Sequence, residues 1–278
     1  MKAGKTAPRN DSRTLKLSNY AQGLPIPPRF DWAQPVHAYG MLGNDRIGDC
    51  TCVAAHQMVQ TWSANTDTKD YRPVARDVIL TYSRLTGYNR RTGEHDDGAN
   101  MLDVLKWWRR HGLSTGHMID AFAAVDTDDV KESLPQAIYR FGGVYLGFAL
   151  PEYVESKPRW HMADSPGGQA ARAYGFGGHA VFGCAYDADG ITVISWGRRT
   201  HVDWAFLHRY LDEAYACLDD FWINRDGRSP GGLDAAALRR DLLAGKVRSA
   251  GALFARLRDR YGATVTDEDR RTALWARH

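Results

Sequence analysis

The sequence has few cysteines, little net charge and no long apolar run, and each absence excludes a class of protein. Only 4 of its 278 residues are cysteine, too few for a small disulfide-stabilised scaffold. The 36 basic and 33 acidic residues leave a formal charge of +3, so a nucleic-acid partner is not indicated. No apolar stretch approaches the roughly 20 residues that cross a bilayer, and we expect no membrane span. What is present is a hydrophobic fraction of 44%, enough for a sizeable core.

The first residues are basic but lead into no apolar segment. A secretory signal places an apolar stretch of roughly 7 to 15 residues directly after its basic start. We therefore interpret residues 1–24 as a basic flexible tail, and we expect reduced thiols in the cytoplasm, with non-classical secretion left open. The basic residues of this tail are Lys2, Lys5, Arg9, Arg13 and Lys16.

Helical patterns precede β patterns along the chain, which is the order of an α+β protein without a βαβ repeat. Stretches rich in proline and glycine at 25–48 and 156–178 predict long loops. The residues at 204–216 form an amphipathic segment. Apolar spacing predicts four helices, at 51–62, 74–85, 101–111 and 130–139, then a strand at 144–149 and a hairpin of two strands at 179–186 and 191–195.

The composition changes after residue 225. A linker at 226–232 precedes three helical stretches dense in arginine and alanine, at 234–244, 249–261 and 266–276. We assign 226–278 to a helical C-terminal extension and expect it to offer a surface for a protein partner. Binding of nucleic acid or another anionic surface by its arginines is an alternative, but the acidic residues interspersed among them favour a solvated helix face.

Gly48-Asp49-Cys50 stands at the start of the first predicted helix, with Asp49 as its N-cap. A thiolate is the reactive form of cysteine, and a helix N-terminus stabilises it. The alternative is a buried cysteine that fills apolar space. Cys52 lies about 200° further around the helix, so we do not expect the two thiols to share a cleft. No second Cys/His pair completes a tetrahedral site, and we expect neither a metal nor a cofactor.

Gly177-Gly178-His179 stands at the mouth of the predicted hairpin. Histidine titrates near neutral pH and accepts a proton from a thiol, which gives a thiolate–imidazolium pair. The alternative is a structural histidine. A cysteine at a helix start together with a histidine at a strand start favours the catalytic interpretation, with Trp196-Gly197 closing the hairpin.

Three patches follow one another along the sequence: Ile26-Pro27 with Asp31-Trp32, Gly178-His179-Ala180-Val181 with Tyr186, and Ser195-Trp196-Gly197. In this order they resemble the papain family of cysteine peptidases. An ungapped alignment from the first patch places Asn44 at the family's oxyanion-hole glutamine and Cys50 at its nucleophile. Cys50 and His179 are 129 positions apart, which agrees with the family's spacing of about 130 or more. A shorter fourth match is Asp97-Gly98, similar to the strip that holds substrate backbone.

The resemblance implies a two-lobe papain-like fold over residues 25–225, with a helical N-terminal lobe and an antiparallel β C-terminal lobe. It implies that Cys50 attacks a peptide or amide carbonyl as the thiolate and that His179 protonates the leaving group, through an acyl-enzyme. By the same resemblance, Asn44 supplies an oxyanion donor beside the backbone N–H of Cys50. The substrate is then a peptide or a protein. The residues assigned to substrate binding are Asp97, Gly98 and Trp196.

The sequence also departs from the family's pattern. Ile194 stands where the family has the asparagine that orients the histidine ring. Isoleucine accepts no hydrogen bond, so Thr192 or Asp187 is a candidate replacement. Ile47 replaces a cysteine that forms a disulfide in secreted relatives, which agrees with a reducing compartment. The residues before Ile26 are too few for the inhibitory propeptide, and we expect control of activity to lie elsewhere, with the C-terminal helices as a candidate.

Three functions stay open at this point. The first is a divergent peptidase of prokaryotic or phage type. The second is an enzyme of the same fold that deamidates or transfers amides, since these reactions share one acyl-enzyme. The third is an inactive papain-fold binding protein, because an apolar Ile194 does no harm where no catalysis takes place.

Overall fold

The computed structural model describes residues 1–12, 14–17, 25–66, 70–154, 157–162, 171–219 and 222. The predicted linker and helical extension at 226–278 lie outside the described residues, as does the last part of the predicted tail, 18–24. Among the described helices, none has the length and apolar character that a bilayer crossing needs.

The described residues form five α-helices, and four of them match the helices expected from apolar spacing. The third helix has the predicted bounds, because the Asn100 side chain accepts a hydrogen bond from Leu102 N and Gly112 ends the helix with a φ of +78°. The fourth continues through Pro135. The helices are α1 (Cys50–Ala64), α2 (Ala75–Thr86), α3 (Met101–His111), α4 (Val130–Phe141) and α5 (Trp204–Tyr210).

The described strands form one mixed sheet. The strands are β1 (Leu15–Lys16), β2 (Phe30–Asp31), β3 (Ala121–Ala124), β4 (Val144–Leu150), β5 (Arg159–Trp160), β6 (Gly177–Tyr186), β7 (Gly190–Ser195), β8 (Arg198–Asp203) and β9 (Leu211–Leu218). Their order in the sheet is β1-β3-β9-β4-β6-β7-β8-β5, and β2 pairs with β6. The predicted hairpin is confirmed as β6 and β7, which pair antiparallel.

Two segments differ from their sequence-based expectations. The amphipathic segment at 204–216 is divided into α5 and the first part of β9. β9 pairs antiparallel with β3 on one side and with β4 on the other, so pairing on both edges decides its conformation over local periodicity. The loop expected at 156–178 contains the short strand β5, which pairs with β8.

The long helix α1 joins the helical lobe to the sheet. It is buried along nearly its whole length, and it packs against β6 on one side and α2 on another. The Tyr145 hydroxyl on β4 donates to Thr51 O at 2.9 Å, which fixes the first turn of α1 against the sheet. The amino end of this helix therefore meets the first residues of β6, where the sequence placed its cysteine and its histidine.

Candidate active site

Cys50 is the first residue of α1 and lies against β6. Its Sγ accepts a hydrogen bond from Ala180 N at 3.4 Å. Cys52 lies in a different apolar cluster, with Val78 and Tyr82 of α2, so the two thiols face different parts of the molecule. Within the described ranges, no three His, Cys, Asp or Glu side chains come together as a metal site requires.

His179 is held by two residues at the end of the hairpin. Its Nε2 lies 3.0 Å from Ser195 Oγ. Its ring stacks on Trp196 with a centroid distance of 4.2 Å and an interplanar angle of 13°. Trp196 adopts a φ of +47°. The backbone is therefore in the left-handed conformation at the residue whose indole stacks on the imidazole. His179 Nδ1 is buried and has no hydrogen-bond partner among the described residues.

The ring partner is Ser195, and the expectation that Thr192 or Asp187 replaces the asparagine is wrong. Ile194 pairs directly with Phe182, three positions after His179 on β6. Side chains alternate along a strand, so Ile194 faces the core and Ser195 shares the face of His179. The Asp187 carboxylate instead accepts hydrogen bonds from the backbone of the β6–β7 turn.

A segment that we call the strap, residues 1–6, crosses the cleft between the two lobes. Gly4 N and Lys5 N both donate to Gly178 O, at 3.1 and 2.9 Å. On the opposite wall, Thr6 N donates to Ala99 O at 3.0 Å and Ala99 N donates to Gly4 O at 2.7 Å. The expectation of a flexible tail is wrong for these residues, because their backbone groups find partners on both walls.

Gly4 lies directly on the candidate nucleophile. A Cβ at Gly4 would come within 2.0 Å of Gly48 O, and a Cβ at Gly98 within 2.1 Å of Gly4 O. Only a residue without a side chain fits at this point of the strap. Cys50 is consequently 1% exposed.

Burial keeps both candidate catalytic groups neutral. It raises the pKa of the Cys50 thiol to about 12, although the N–H groups of Ala180 and Gly4 act in the opposite direction. Burial also lowers the pKa of His179 to about 3. With the strap in place, the pair is therefore a thiol beside an uncharged imidazole at neutral pH.

Asn44 and Trp196 both contact a backbone carbonyl of the strap. Asn44 Nδ2 donates to Lys2 O at 3.2 Å and to Ile47 O at 3.0 Å. Trp196 Nε1 donates to the same Lys2 O at 3.3 Å. The structure thus brings these two sequence-selected residues to one peptide oxygen in the cleft.

The residues that hydrogen-bond to the strap on this wall are the neighbours of the predicted substrate strip and not Asp97 and Gly98 themselves. Ala99 makes the backbone hydrogen bonds to the strap, whereas the N–H of Gly98 donates to the Tyr82 hydroxyl at 2.9 Å. Asp97 is exposed and is not brought into the cleft, which corrects its assignment. The neighbouring Asp96 carboxylate accepts from Gly48 N at 2.8 Å and pairs with Lys2. Sequence spacing carries no signal that separates these two adjacent aspartates.

Asp49 does not cap α1 with its side chain, contrary to expectation. Its carboxyl oxygens are buried and accept no well-oriented hydrogen bond from the described residues. Burial raises its pKa to about 8, partly opposed by Asn44 and by its own backbone. A protonated Asp49 at neutral pH leaves less negative charge beside Cys50, where the carboxylate opposes ionisation of the thiol.

Comparisons with known proteins add one finding on the fold. Neither family models nor curated protein sequences match the chain. Among solved structures, xylellain, a cysteine protease from Xylella fastidiosa, matches with a TM-score of 0.59 at 16% identity, over 78% of this chain and 96% of the other. The fold is papain-like.

Two further solved structures support this conclusion. Digestive procathepsin L 3 of Tenebrio molitor matches with a TM-score of 0.52 at 13% identity, over 76% of both chains. The cysteine protease and lectin-like domains of Cwp84 from Clostridium difficile match with a TM-score of 0.54 at 12% identity, over 78% of this chain and 55% of the other. The papain-like likeness is one of fold, since the identities are low.

Proposed function

We propose that this protein is a papain-like cysteine peptidase that cleaves peptide bonds through Cys50 and His179. The observation that carries the proposal is the junction of α1 and β6. Cys50 Sγ lies 3.4 Å from Ala180 N, the residue directly after a histidine whose ring Ser195 and Trp196 hold in place. This proximity of the thiol to the residue beside His179 supports a shared site at the junction of the two lobes, in a fold that cysteine proteases also have.

Removal of the strap changes the ionisation of this site. Burial is the largest contribution to the raised pKa of Cys50 and to the lowered pKa of His179. Water that enters the cleft reduces both effects, and the amino end of α1 then favours the thiolate. We infer that the proton then moves from Sγ to Nδ1 of His179, because Nδ1 is the ring nitrogen that Ser195 does not contact and to which no described group bonds while the strap is in place.

The reaction then proceeds in two steps. The thiolate attacks the substrate carbonyl carbon, a C–S bond forms, and the amine leaves with the proton from His179. Water next gives a proton to His179 and attacks the thioester, which releases the acid and restores the thiol. We infer that Asn44 donates to the developing oxyanion, and the donation of its amide to the strap's Lys2 carbonyl supports this role.

A variant that displaces the strap tests the proposal in the full chain. Gly4→Val cannot keep Gly4's place between Gly48 and Gly98, whereas Ala7→Val, at an exposed position just beyond the strap, is the matched control. We expect Gly4→Val to hydrolyse internally quenched peptides and Gly4→Val/Cys50→Ser to be inactive. Hydrolysis that persists without the Cys50 thiol would overturn the assignment.

The masses of the products separate peptidase activity from its same-fold alternatives. Hydrolysis yields two peptides whose masses account for one added water. Deamidation leaves the backbone intact and converts a side-chain amide to an acid, and transfer joins the acyl fragment to an amine. Intact peptides carrying a Cys50-dependent change of either kind would contradict the peptidase proposal while keeping the nucleophile.

A further inference from the structure

The strap inserts one side chain into the body of the protein, and that side chain is a lysine. The side chain of Lys5 is 0% exposed. Its Nζ lies 3.0 Å from Asp212 Oδ2 and 3.0 Å from Glu213 Oε1. It also donates to Thr6 O at 3.1 Å. Lys5 thus places its ammonium group against two carboxylates.

Two adjacent strand residues reach one cation because the strand is irregular there. Consecutive side chains of a regular strand point to opposite faces. The register between β4 and β9 shifts at Gly147 and Phe148, which pair with Glu213 and Leu211. Asp212 is the extra residue of this bulge, and the local change in direction brings both carboxylates to the same pocket.

The walls of the pocket fit a long unbranched stem. A Cβ at Gly147 would come within 2.3 Å of Lys5 Cε and within 2.6 Å of Met101 Sδ. The absence of a side chain at Gly147 therefore makes the space that the lysine occupies. The Tyr174 ring lies 5.9 Å from Nζ, within reach of a cation–π interaction, and its hydroxyl pairs with Asp212.

The pocket requires a cation for electrostatic reasons. The Glu213 side chain is only 6% exposed. Burial raises its pKa, and the charge of Lys5 acts in the opposite direction. Departure of Lys5 with the strap leaves two closely spaced carboxylates without their counter-charge, which is unfavourable at low exposure.

The position of the pocket relates it to the reaction. Lys5 directly follows Gly4, whose N–H lowers the pKa of the Cys50 thiol. Lys5 N also donates to Gly178 O at 2.9 Å.

We propose that the pocket formed by Met101, Gly147, Tyr174, Asp212 and Glu213 selects a lysine or arginine side chain of the substrate, within two residues of the scissile bond. This inference rests on the proposed peptidase function.

Hydrolysis of matched peptides measures this selectivity. Internally quenched peptides carry arginine, lysine, norleucine or glutamate at one position at a time and are offered to the Gly4→Val protein. We expect arginine and lysine to exceed norleucine at least tenfold in kcat/KM at one position near the cleaved bond. Glu213→Gln in the same background reduces that ratio, whereas Glu94→Gln, at an exposed loop carboxylate, leaves it unchanged.

A binding measurement keeps the inference testable apart from catalysis. Gly4→Val/Lys5→Ala empties the pocket in the full chain, and agmatine supplies a guanidinium on a short stem. We expect agmatine to raise the melting temperature of this variant and to have no such effect once Glu213→Gln is added. Equal shifts in both variants, or Cys50-dependent hydrolysis without a basic preference, would overturn the pocket assignment. Agmatine binding without any Cys50-dependent hydrolysis would overturn the peptidase function and leave the pocket in place.

Discussion

The floor of the cleft, where Cys50 and His179 lie, and the strap above it are held by different kinds of contact. Cys50 and His179 belong to α1 and β6, whose packing forms part of the main core. The strap has no helix or extended strand of its own, and it is held by backbone hydrogen bonds to Gly178 and Ala99 and by the ion pairs of Lys2 and Lys5. Segments with few buried apolar contacts open at lower free energy than the core. We therefore expect the strap to open at lower free energy than the floor.

The largest expected effect is on the reactivity of Cys50 when the strap is displaced. The thiol pKa is about 12 under the strap, against about 8.5 for a free cysteine. A return to that value increases the thiolate fraction at neutral pH on the order of a thousandfold. Alkylation of Cys50 in Gly4→Val, followed by peptide mass spectrometry, measures it. Cys52 serves as the internal control, since α2 and not the strap covers it; equal acceleration at both thiols would indicate general unfolding instead.

The next effect belongs to Asn44. We expect Asn44→Ala, in the Gly4→Val background, to lower kcat by a factor of about 100 to 1000, which corresponds to the roughly 2.7–4 kcal/mol of one lost oxyanion donor. Steady-state kinetics with one quenched peptide measure it. Asn44 also donates to Ile47 O in its own loop, so circular dichroism and the melting temperature show whether the fold is kept. An unchanged kcat in a folded variant would remove Asn44 from the mechanism.

A smaller effect is expected at Ser195, which positions the histidine ring and does not touch the substrate. Ser195→Ala removes the partner 3.0 Å from His179 Nε2, and we expect kcat to fall about tenfold while Trp196 still stacks on the ring. Ser195→Thr keeps a hydroxyl and restores part of the loss. The acid limb of the pH–rate profile moves in Ser195→Ala, which a purely structural role would not produce; identical profiles would contradict ring positioning.

A separate effect concerns stability in acid and is tested at a buried histidine of the helical lobe. Burial lowers the pKa of His56 and of His179 to about 3, while an unfolded histidine titrates near 6.5. Between these values the unfolded chain binds more protons, so stability falls as the pH falls, by about 1.4 kcal/mol per pH unit for each histidine. Denaturant unfolding from pH 6.5 to pH 4 should show a shallower dependence for His56→Gln and the wild-type dependence for His37→Gln, at an exposed position. Equal slopes in all three proteins would contradict a neutral His56.

The parts of the molecule that sequence reasoning predicted carry local signals. Helix α3 has apolar spacing, a capping asparagine and a terminal glycine, and the β6–β7 hairpin has two apolar runs around a turn. Because Cys50 and His179 lie at or near the starts of α1 and β6, the prediction of these two elements also predicts where the two residues lie. Local spacing predicts one amphipathic unit at 204–216, because nothing local reveals that β3 and β4 pair with the second part of this segment.

The parts that sequence reasoning missed depend on distant contacts or on strand faces. Lys5 meets Asp212 across more than 200 positions of chain, and no local pattern marks that pairing. Ser195 was overlooked because residue matching placed Ile194 opposite the histidine, whereas side-chain alternation turns Ser195 toward it.

The bulge at Asp212 has a consequence for how this cleft can change. Removal of this one residue would restore regular pairing of β9 with β4, since Gly147 faces Glu213 and Phe148 faces Leu211 on either side of it. The pocket would keep a single acid, with no other position altered. A one-codon deletion is thus one short genetic route to a different preference in this scaffold.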